Sequence, residues 1–105
     1  MTRPELLAWL ESRRPAPPAA LANRLAECVT AAPDGVLAGD SVAEAVGRLG
    51  LVTLRAVVER QGVAYDAAMD LLAADAFVTY AFEAAAEGGG ELSSLAGRLL
   101  AAVGT

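Results

Sequence analysis

The side chains in this sequence that could do chemistry are thirteen carboxylates, eight arginines, a single thiol at Cys28, the tyrosines Tyr65 and Tyr80, and hydroxyls such as Ser41. There is no histidine and no lysine. The first absence removes the commonest neutral-pH general base, the Ser–His and Cys–His pairs and most zinc sites; the second removes Schiff-base chemistry and the P-loop cation. Asp75, Thr79, Glu83 and Glu87 recur one helical turn apart and so share one side of a helix. Such an oxygen-only row suits hard cations at most, and a solvated acidic stripe accounts for it without one, so no metal is expected. Cys28, beside Val29 on the apolar side of its helix, reads as a small core residue rather than a nucleophile. Asp75 is the acid to watch, because an isolated carboxylate inside an apolar stretch must be solvated, paired or neutral. The expectation is that it reaches solvent or meets Arg48 or Arg55. No catalytic, cofactor-binding or metal-binding residue is assigned, and a non-catalytic chain is expected.

Charge is distributed unevenly. Asp66, Asp70, Asp75, Glu83 and Glu87 lie between Gly62 and Gly90 with no cation among them, leaving eight acids against eight arginines elsewhere. The whole net charge of −5 therefore belongs to one segment. With a pI near 4.5 the chain lacks the cationic footprint that phosphate binding needs, and nucleic acid is not an expected partner.

These groups must be held by helices. Thr2 with Glu5 has the pattern of a capping box, starting a helix at about Arg3 that Pro15 ends. Pro15, Pro17 and Pro18 make residues 15–18 a stiff connector. Leu21, Leu25, Cys28, Val29 and Ala32 share a face of the next helix, which Pro33-Asp34-Gly35 stops. Ser41, with Glu44 three residues on, caps a third helix closed by Gly50; a fourth turns Leu51, Leu54, Val57 and Val58 inward and closes at Gly62. The longest helix runs from about Ala64 to Glu87 and ends in the glycine-rich turn 88–90. The last spans Glu91 to Val103, with Leu92, Leu95, Leu99 and Val103 on one face. The sequence thus predicts a single all-α domain over 1–105, a compact bundle-like or orthogonal array of about five to six helices around a long, Ala-rich, acidic central helix. The longest uncharged stretch, Pro15 to Asn23, is too short and too rich in proline to cross a bilayer; with a lone cysteine and no signal-peptide order after Met1, the expected location is the cytoplasm.

The long helix carries two apolar arcs. Ala67, Leu71, Ala74, Val78, Ala81, Phe82 and Ala85 form one; Met69, Ala73, Ala76, Phe77, Tyr80 and Ala84 form the other. A helix apolar around most of its circumference is covered from two directions. Either both covers belong to the chain's own core, or one is a second copy. Met69, Leu72, Ala73, Ala76, Phe77 and Tyr80 are the candidate interface residues. The expected function is protein–protein contact, as a homodimer or with another, basic protein, with scaffold, adaptor and regulatory roles open.

Two resemblances and one motif supply alternatives. Asp40-Ser41 at a helix start resembles the Asp-Ser of acyl and peptidyl carrier proteins, acidic four-helix domains of similar size, which implies a phosphopantetheine on Ser41. Val42-Ala43-Glu44 departs from the Leu and acid-rich helix that usually follow in those families. The run Leu71 to Glu83 is similar to a core helix of the trans isoprenyl diphosphate synthases, without their paired Asp-rich motifs. Finally, helices meeting at Gly50 would make a helix-turn-helix at about 41–62, a small DNA-binding regulator in which Arg48, Arg55 and Arg60 exceed Glu44 and Glu59 by one charge.

Overall fold

The structure, a computed structural model, describes residues 2–38, 41–59, 64–88 and 92–103, and of 64, 65 and 103 the backbone alone. The first helix starts as its cap requires: the Glu5 N–H donates to Thr2 Oγ1 at 3.2 Å, and the Thr2 hydroxyl donates to Glu5 Oε1 at 3.0 Å. This opens α1 (Arg3–Glu11). After the proline connector, Pro18 stands at the N-cap of α2 (Ala19–Ala31). A single turn of helix, α3 (Asp34–Leu37), follows Pro33, so Asp34 and Gly35 of the expected turn open a short helix instead. Then come α4 (Val42–Glu59), α5 (Ala64–Glu87) and α6 (Leu92–Val103), and no strand occurs among the described residues. The all-α fold of about six helices around a long Ala-rich one is what the punctuation predicts. Among the described residues no helix is long and apolar enough to cross a membrane.

One boundary is corrected. The helices expected to meet at Gly50 are a single helix, α4, so the turn of a helix-turn-helix over 41–62 is not formed. Glycine can end a helix by turning left-handed, but it also removes the Cβ that keeps helices apart. At Gly50 the second property decides the outcome. An added Cβ would lie 2.9 Å from Val78 Cγ2 and 3.3 Å from the Ala74 carbonyl oxygen, both on α5. At Gly47 it would lie 2.8 Å from a terminal methyl of Leu99 on α6. Gly50 thus lets α4 accept α5 closely, offsetting a helix-propensity cost of about 1 kcal/mol, while Gly47 one turn earlier leaves room for the tip of Leu99. The closures expected at Gly62 and at Gly89 and Gly90, and a helix start at Glu91, lie outside the described residues.

Continuity of α4 also shifts the phase of its second half. With Gly50 against α5, the positions that follow on the same side are Thr53, which is buried, and Val57, which is half-buried. Leu54 and Val58, expected to point inward, are exposed. The core is built instead from Leu6 and Leu10 of α1, Leu25 and Val29 of α2, Leu37 of α3, Val46 and Leu49 of α4, Phe77 of α5, and Leu95 and Leu99 of α6.

The contacts fix the relative directions of the last three helices. Gly50 meets residues 74–78, and Ala43 shares a groove with Ala84 and Ala85, so α4 and α5 run antiparallel. Leu95 lines that groove and Leu99 meets Gly47, so α6 runs parallel to α4 over its first half. By this pitch the end of α6 falls level with about Leu51.

Candidate functional site

The unbalanced charge of α5 is partly offset by two arginines from the first part of the chain. Arg24 of α2 donates from Nη1 to Asp70 Oδ1 at 2.9 Å and from Nη2 to Asp66 Oδ1 at 3.5 Å. Arg13, just after α1, donates from Nη1 to both carboxylate oxygens of Glu87, at 3.1 and 2.9 Å. Its guanidinium lies 3.9 Å from the centre of the Trp9 ring, and Trp9 meets Tyr80 edge-on at 6.3 Å. Burial raises the Tyr80 hydroxyl pKa, with the Glu83 carboxylate adding to the rise and Arg13 opposing it. Three of the five acids thus find arginines far away in sequence. Asp75 and Glu83 are exposed and take part in none of the described ion pairs.

Cys28 and Asp70 come together in a groove of about 310 Å³ between α2, α4 and α5, with Arg24, Val52 and Thr53 among its lining. Asp70 and Thr53 are buried. Burial pushes the Cys28 thiol pKa up; a hydrogen bond from Thr53 works against that, Asp70 adds to it and Arg24 opposes it. A protonated thiol beside a satisfied ion pair is a packing element, as the apolar spacing of Cys28 suggests.

The structure divides the candidate interface residues. Ala73 and Phe77 are fully buried and have no surface to offer a second chain. Their burial corrects the interface drawn from the sequence: the side of α5 that carries them is covered within the same chain, by α4 where Gly50 meets Phe77 and by α2 where Arg24 meets Asp70, with Trp9 of α1 against Tyr80 beside them. Met69, Ala76 and Tyr80 are half-buried beside them, and Leu72 is exposed on the outer side. Asp75 is also exposed and meets neither Arg48 nor Arg55 among the described ion pairs. Ser41 is exposed, and its hydroxyl accepts the Glu44 N–H at 3.2 Å, as an N-cap should. Arg98, in the same groove, is held by Glu44 at 2.7 Å. Asp40 and the Tyr65 side chain lie outside the described residues. Among those described, no three His, Cys, Asp or Glu side chains are placed to hold a metal ion.

A different apolar surface emerges. From Gly47, where α6 sits, Leu51, Leu54 and Val58 continue down the same side of α4 at helical spacing. On α5, Leu71 lies two turns before Val78, on the flank turned the same way. Leu54 is 39% exposed, Leu71 51% and Val58 78%. These residues line the α4/α5 groove beyond the end of α6. The sequence missed Val58 because phasing a new helix from Leu51 turned it inward. The run Gly47, Leu51, Leu54, Val58 at 4, 3 and 4 residues is the signal that would have found it. Searches against protein-family models, curated proteins and solved structures match nothing to this chain.

Proposed function

We propose that this protein is a non-catalytic contact module that associates with a second copy of itself through the open face of the α4/α5 hairpin. The observation that carries this reading is the exposure of Leu54, Val58 and Leu71 on one side of two adjoining helices. Apolar side chains scattered singly on a surface need no explanation, whereas a run along one groove marks a contact site. The lone, unbridged thiol at Cys28 is in keeping with a cytoplasmic setting.

Light scattering on purified protein tests the reading. The expected result is a mass that rises with concentration toward twice 10.7 kDa. Val58→Glu together with Leu71→Glu should hold the mass at that of one chain while leaving the helical far-UV signal unchanged, since both side chains already face water. A wild-type protein that stays monomeric at millimolar concentration overturns it.

A further inference from the structure

The open face carries exposed charges of both signs at its edges: Arg48, two turns before Arg55 on α4, lies 3.9 Å from Glu44, and Glu59 stands one turn beyond Arg55. Arg55 follows Leu54 on the outer edge of α4, and Asp75 stands between Leu71 and Val78 on the outer edge of α5. Among the described ion pairs neither takes part. Because Gly50 packs against residues 74–78, Asp75 falls level with about Leu51 and Arg55 with about Leu71, so the two charges sit across the strip about one helical turn apart. An arginine side chain spans that offset.

Two symmetric arrangements of this face keep the helices of the two copies aligned, and charge separates them. A dimer of identical chains is isologous, so the same face meets itself. A twofold axis lying across the hairpin sets α4 over α4, which brings Arg55 toward Arg55 and Asp75 toward Asp75. An axis running along the hairpin sets the α4 edge of each copy over the α5 edge of the other, antiparallel. Resting on the self-association proposed above, we infer that the copies adopt the second arrangement, with Arg55 of each chain paired to Asp75 of the other, twice per dimer. Like charges set opposite one another suppress the alternative, and the two ionic contacts fix the register of an otherwise smooth apolar strip.

Charge reversal tests this separately from self-association. Arg55→Asp and Asp75→Arg should each weaken dimerisation at least about tenfold in sedimentation equilibrium, because each homodimer then holds two like-charge contacts. An equimolar mixture of the two variants should dimerise again, since in the mixed dimer both contacts are of opposite sign. The double variant should dimerise by itself. Should a reversal disturb folding, Arg55→Ala, Asp75→Ala and their combination serve instead: each alone weakens association, and the pair weakens it no further than either. A wild-type dimer indifferent to single reversals, or unrescued mixtures, overturns the pairing and leaves self-association standing. A monomeric wild type removes both.

Discussion

Cys28 stands between an arginine and an aspartate, and its reactivity depends on which influence prevails. Burial and Asp70 hold the proton on sulfur more strongly than Thr53 and Arg24 release it, so the thiol titrates above its usual range. Thiolate is the nucleophile in alkylation. The expected outcome is that iodoacetamide labels Cys28 more slowly in the folded protein than in denaturant at pH 8. Its rate should still climb beyond pH 9, where an ordinary thiol of pKa about 8.5 is levelling off; a profile level by pH 9 would contradict the burial. The sign for stability follows. A raised folded-state value supports folding fully below the unfolded thiol's pKa, and that support fades as pH rises through the folded value. The apolar setting of Cys28 was legible from its neighbour Val29. Its polar neighbours were not, because Arg24 and Asp70 are 46 residues apart and no local spacing rule joins them.

Among the elements, α4 shows why a glycine cannot be read alone. Gly47 and Gly50 differ in what replaces the missing side chain. At Gly50 a methyl would press on the stiff, β-branched Val78 and the carbonyl of Ala74, whereas at Gly47 it would meet the tip of Leu99, which can turn aside. Gly50→Ala is therefore expected to destabilise the fold by about 1–3 kcal/mol, the usual range for overpacking. Gly47→Ala should come out neutral or more stable by up to about 1 kcal/mol, the helix-propensity gain surviving. Urea unfolding midpoints measure both, and equal losses at the two positions would contradict the difference in packing. The sequence held the clue in Ala43, Gly47 and Gly50, small residues repeating at four and then three positions opposite an Ala-rich helix. A glycine after Leu49 and before another apolar run nevertheless satisfies the rules for a helix end equally well, and only the presence of a packed neighbour separates the two.

For the whole molecule, the segregation of charge along the chain is eased on folding. α1 and α2 bring Arg13 and Arg24 onto Glu87, Asp66 and Asp70 of α5, while the open face is apolar with charged edges. Helix class was legible from capping residues, prolines and spacing, whereas the number agrees only because the two helices expected at 41–62 are one and α3 was not foreseen. Which arc of α5 would be covered was not, because cover depends on helices distant in sequence. The close α4/α5 pair should be the most cooperative part of the fold. Hydrogen exchange is expected to be slowest for amides 43–53 and 70–85 and faster in α1 and α6; uniform protection would contradict that ranking. α1 nonetheless governs a bend far from itself. Arg3 donates to the carbonyls of Val29 and Ala32 and, at 2.6 Å, to Asp34, 31 residues on, so one side chain pins the corner between α2 and α3 where Pro33 supplies no donor. Trimming the opening turn would spare the central column and unfasten that corner, making the chain's first residues the guy-rope of its middle.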